Sequence, residues 1–72
     1  MTVRIDVNDE QLLADLMAAL AHHGCLTNRI GPSTFRVVSP RARDAREAQL
    51  EIGFFVRAWQ ARHPGVEAVL TS

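Results

Sequence analysis

The sequence predicts an α+β domain in which a four-stranded antiparallel sheet carries two helices on one face. Three observations lead there. Along the 72 residues the periodicity passes from alternating to helical and back to alternating, twice in the same order. Each helical stretch is preceded by capping residues and followed by glycine or proline. The alternating runs are apolar on one side only, as in a sheet covered on a single face.

In the first strand Val3, Ile5 and Val7 alternate with Arg4 and Asp6. A helix is expected from Leu12 to Leu20, with Asn8 as its N-cap, Gln11 three residues on as in a capping box, and Asp9 and Glu10 at the positive end of the dipole. At 100° per residue Leu12, Leu13, Leu16, Met17 and Leu20 share an arc, with Asp15, Ala18 and His22 away from it. Gly24 then ends the helix where a left-handed residue costs least. Two strands follow, Cys25 to Ile30 and Thr34 to Ser39, joined by Gly31-Pro32-Ser33 as a hairpin. Leu26 and Ile30 are expected on the core face with Phe35 and Val37, leaving Arg29, Thr34 and Arg36 on the open face.

The second helix is expected to begin at Ser39-Pro40, or a few residues later near Ala42, and to run to about Arg62 or His63, where Pro64-Gly65 stops it. Its wheel carries two apolar stripes. Ala45, Ala48, Ile52, Phe55, Val56 and Trp59 form the broad one, suited to covering the sheet. Leu50, Phe54, Ala58 and Ala61 form a narrower one roughly opposite, edged by Arg46 and Arg57 on one side and Glu47 and Glu51 on the other. A monomer with its helices on one side of the sheet buries only the first. The last strand is read at Val66–Thr71.

A chain of this length has room for one domain, residues 1–72, which buries only about 60% of the surface its unfolded form exposes. A lone Cys25 makes no internal disulfide, so self-association is the cheap supplement to a small core. Eight basic residues, all arginine, balance eight acidic ones, which removes any general attraction to nucleic acid or anionic lipid. The N-terminal stretch carries Arg4, Asp6, Asp9, Glu10 and Asp15, unlike a secretory leader. No apolar run approaches the ~20 residues of a membrane span, and the expectation is a soluble cytoplasmic protein with no membrane association.

Residues able to do chemistry are few. His22, His23, Cys25 and His63 lack the paired spacing of a zinc site, so no metal or other cofactor is expected. His23 is expected at the core edge, His22 in solvent and Cys25 as a buried strand residue. Nucleophilic catalysis would need Cys25, Ser33, Ser39 or Ser72 beside a base, and no carboxylate stands obviously behind His23, so no catalytic residue is assigned. Two arginine groups are better candidates. Arg4, Arg29 and Arg36 form a cationic platform on the open face if nothing neutralises them, whereas ion pairs with Asp6 and Glu67 would explain Arg4 and Arg36 as ordinary sheet chemistry. Arg41, Arg43 and Arg46 lie around the start of the long helix, where Asp44 and Glu47 compensate them and no glycines are present to wrap a phosphate.

With right-handed crossovers, the order βαββαβ resembles the ferredoxin-like plait with strand order 4-1-3-2, and among its members the small ACT-like domains. That resemblance covers the whole chain at the level of architecture and implies a small, often dimeric, often regulatory domain. Amino-acid-binding ACT domains carry a glycine in the loop after the first strand, and here the loop reads Val7-Asn8-Asp9-Glu10. RNA-recognition motifs share the topology but carry aromatics where this chain has Arg4, Arg36 and Val38.

The leading functional expectation is a non-enzymatic regulatory or interaction module that forms a homodimer, or meets a protein partner, through Leu50, Phe54, Ala58 and Ala61. The alternative is an anion or nucleic-acid binder using Arg4, Arg29 and Arg36. Third is a small enzyme or accessory subunit with a pocket between helices and sheet.

Overall fold

Alternation in the first strand sets the frame on which the other elements assemble. The computed structural model describes residues 2–71. In chain order they form β1 (Thr2–Val7), α1 (Glu10–His22), β2 (Leu26–Arg29), β3 (Thr34–Val38), α2 (Ala45–Ala61) and β4 (Ala68–Thr71). All strand pairs are antiparallel and the sheet order is β2-β3-β1-β4, the expected order read from the other edge. This is a ferredoxin-like plait. The α1 helix packs over β1, β2 and β3, whereas α2 packs over β1 and β4.

The core lies between sheet and helices. Val3, Ile5 and Val7 from β1 and Phe35 and Val37 from β3 meet Leu13, Leu16 and Leu20 of α1 and Ala48, Ile52, Val56 and Trp59 of α2. The expected α1 stripe is therefore correct, with Leu12 and Met17 half-buried at its margins. Phe55 is half-buried and Ala45 exposed, so the broad stripe of α2 is narrower than its wheel suggests.

The cap of α1 differs from expectation. Asp9, not Asn8, holds the N-cap, and its carboxylate accepts from the Gln11 and Leu12 amides at 3.0 and 3.2 Å. Asn8 is engaged elsewhere: its amide donates to the Glu67 carbonyl (3.1 Å), and its Oδ1 accepts from the Glu67 amide (2.9 Å). A carboxylate also suits the positive helix end better than an amide does. At the other end Gly24 adopts φ 102°, and the bonds from Cys25 N–H to Leu20 O (3.0 Å) and Gly24 N–H to Ala21 O (3.1 Å) complete a Schellman motif.

That motif fixes the parity of β2, and here the face assignment needs correcting. Cys25 is buried at the helix end, so Thr27 and Arg29 follow it on the helix side, while Leu26, Asn28 and Ile30 face away. Leu26 pairs with Val38 on the open face and is 65% exposed; Arg29 pairs with Phe35. A one-residue slip of this kind exchanges the two faces of the whole strand.

The start of α2 is corrected too. Ser39-Pro40 belongs to a turn, closed by Ala42 N–H to Ser39 O at 3.2 Å, and the helix begins at Ala45 with Asp44 as N-cap. Pro40 fits the start of that turn as well as it fits a helix. Val66 and Glu67 lead into β4 and lie outside it; the turn before them has Gly65 at φ 90°.

Candidate functional site

Three places in the fold collect the candidate residues, and they differ in how fully the protomer satisfies them. The first is the outer face of α2. Leu50 and Phe54 lie one turn apart, 56% and 69% exposed, continued by exposed Ala58 and Ala61. All four residues of the narrow stripe face solvent, on a helix whose opposite side is buried. Beside them Gln49, Gly53 and Arg57 border a shallow groove, and Gly53, Arg57 and Gln60 continue it down to Ala68 and Leu70 of β4. A groove of mixed polar and apolar lining therefore leads from the outer face of α2 to the outer strand.

The second place is the open face of the sheet. Arg4 and Arg36 stand directly opposite each other on the two central strands. Arg4 has Asp6 at 3.8 Å, while Asp6 also accepts the Thr34 hydroxyl hydrogen bond; Arg36 enters no ion pair among the described residues. The pairing of Arg36 with Glu67 is thus absent. Arg29 does not join this face. From the helix side of β2 its guanidinium donates to Glu10 Oε1 at 2.8 Å and to the carbonyls of Gly31 and Pro32 at 3.0 Å, bracing the hairpin turn against the start of α1. The proposed three-arginine platform is therefore a two-arginine pair, flanked by Leu26 and Val38 on one side and by Val69, 55% exposed, on the other.

The third place is a polar knot that the sequence does not reveal. Glu51 reaches from α2 to the loop before it, where the Ser39 hydroxyl donates to Oε2 (3.3 Å), while the Arg41 guanidinium and His23 Nε2 approach Oε1 at 3.5 and 3.9 Å. Arg41 also donates to the His23 carbonyl at 3.1 Å. A carboxylate does stand behind His23, contrary to the sequence expectation. Yet the knot does not activate Cys25: burial, then the Glu51 charge, push its thiol above the ordinary range, against the opposing effect of Arg41. A neutral thiol is a poor nucleophile and a poor metal ligand. Among the described residues no three His, Cys, Asp or Glu side chains are placed to hold a metal ion. Ser72 lies outside the described residues.

His23 packs its ring on Phe55, centroids 4.9 Å apart, and the two line an open cleft between α1 and α2 with Asp15, Ala18, Ala19 and His22. This cleft lies between the helices, while the groove past Gly53 lies between α2 and β4 of the sheet. Asp15 in the cleft and His63 outside it are structural. Asp15 accepts the Trp59 indole N–H at 2.9 Å, and His63 stacks on Trp59 with its Nδ1 donating to the Trp59 carbonyl at 2.8 Å. Every buried side-chain nitrogen or oxygen among the described residues has a partner. No helix among them is long and apolar enough to cross a membrane.

No protein-family model, curated protein or solved structure matches this chain.

Proposed function

We propose that the domain is a non-enzymatic interaction module of the cytoplasm that associates with a second copy of itself through the outer face of α2. One observation carries the reading. Leu50 and Phe54 sit adjacent and largely exposed on a helix whose other side is already packed to completion. Exposed apolar residues scattered singly are normal, but a connected patch on so small a domain marks a contact surface. A two-fold pairing removes both copies of the patch from water at once. The reading also fits the candidate chemistry, since the cysteine is held neutral and His23 and His63 are engaged in packing and hydrogen bonds.

Sedimentation equilibrium is the test. At about 100 µM, where a micromolar association is saturated, the protein is expected to sediment as a dimer and Phe54→Asp as a folded monomer. A wild-type monomer at that concentration, unaffected by the substitution, removes the proposal.

A further inference from the structure

The outer face of α2 supplies only part of the area that a standard interface covers. A stable interface covers about 800 Å² on each partner, roughly a sixth of this protomer's 4580 Å². With 17 residues, α2 is about 25 Å long, and a stripe about 10 Å wide along it outlines only some 250 Å². The surface that would extend it is already continuous with it: the groove past Gly53, Arg57 and Gln60 reaches Leu70 and so the outer strand. In the order β2-β3-β1-β4 that strand has a neighbour on one side only. Its sequence, Ala68-Val69-Leu70-Thr71, contains no charge and no proline, the usual devices that keep an edge from pairing.

We infer that the second copy docks along β4, the two β4 strands pairing antiparallel into a continuous eight-stranded sheet while the two α2 helices pack side by side above them. This rests on the self-association proposed above and specifies its geometry. The spacing follows from the fold. The α2 helix lies over β1 and β4, so its axis sits about half a strand spacing inside β4. With strands about 4.8 Å apart, pairing β4 with its counterpart sets the two α2 axes about 10 Å apart, at the outer end of the range at which helices pack.

Gly53 then acquires a role that the isolated protomer does not give it. A side chain at that position would meet only Leu70, at an ordinary 3.8 Å, so the protomer tolerates a better helix former there. With a two-fold axis running between the strands at Val69, Val69 stands opposite its counterpart in the second copy, and Gly53, which lies beside Leu70 one residue on, comes near its own counterpart, where a missing side chain allows close approach. Arg57, one turn on, then faces Gln49 of the second copy, one turn back, and like charges do not meet at the crossing. Leu50 and Phe54 cover the seam from above, and Ala58 lies outside it.

Sedimentation of Val69→Lys and oxidative cross-linking of Val69→Cys in a Cys25→Ser background test the arrangement. Val69 faces the open side of the sheet, so neither change disturbs the core. The lysine is expected to raise the dimer dissociation constant about tenfold or more by placing like charges across the new strand pair. With oxidised glutathione the Val69→Cys chains should couple, whereas an Ala58→Cys control should not. If Val69→Lys stays as dimeric as wild type and Val69→Cys does not couple, while Phe54→Asp still dissociates, the edge pairing is overturned and association through the helix face stands. A wild-type monomer overturns both.

Discussion

The two edges of the sheet are finished in different ways. At the β2 edge polar groups close the structure locally: the Schellman turn delivers Cys25 into the core, and Arg29 ties the hairpin carbonyls to Glu10. Its exposed Leu26 has a cross-strand neighbour in Val38. At the other edge β4 carries no charged residue, and the helix beside it turns Leu50 and Phe54 to water. The contrast teaches where a small domain is self-sufficient and where it is not. Both edge strands leave one row of backbone groups unpaired; arginine and capping chemistry brace the β2 edge, while the β4 edge carries no charge and adjoins exposed apolar side chains of α2.

Removing core is the largest way to break that contrast, because both edges rest on the same core. Leu16→Ala under the first edge and Ile52→Ala under the second each empty a fully buried site and should each cost about 2–5 kcal/mol, read from urea midpoints. Leu50→Ala, on the same helix as Ile52, should stay within about 0.5 kcal/mol when measured on dilute monomer. A large loss there would mean that Leu50 already has a partner within its own protomer.

A smaller effect separates the arginines. Arg29→Ala removes an ion pair and two carbonyl contacts and should cost about 1 kcal/mol in the same urea experiment. Arg36→Ala should change stability by less than about 0.5 kcal/mol, since its side chain has no ion-pair partner among the described residues and stands between Arg4 and Asn28. Equal costs would show that the first edge is not specially braced.

Smallest is the alkaline behaviour of Cys25. The folded state holds its thiol neutral beyond the range in which the unfolded chain ionises, so the unfolded state binds fewer protons there and stability falls as pH rises. The contribution is intact below the unfolded thiol's pKa of about 8.5 and is lost upward through the raised folded value. Cys25→Ala should flatten the decline above that pH in urea titrations.

Local rules made the plait legible. Period-two and period-3.6 patterns name the strands and helices, and glycine and proline mark most of the ends. Those rules failed where distant groups compete. Asn8 and Asp9 are both good caps, and the choice falls to Glu67, 59 positions from Asn8. The face of β2 depends on the helix end before it, which alternation within a four-residue strand does not encode. The exposure of Leu50, Phe54, Ala58 and Ala61 could be read from a wheel because one helix holds all four. The convergence of Ser39, Arg41 and His23 on Glu51 could not, since three separate segments supply it.

Trp59 gives the molecule an optical consequence. It is the only tryptophan in a chain without tyrosine, so ultraviolet emission excited near 280 nm comes almost wholly from one indole. That indole bridges the two helices, bonded to Asp15 and lying 4.3 Å from the His63 imidazole. Parting of α1 from α2 would strip away the carboxylate acceptor and admit water, shifting the emission to the red, so the protein reports its own opening without an added dye.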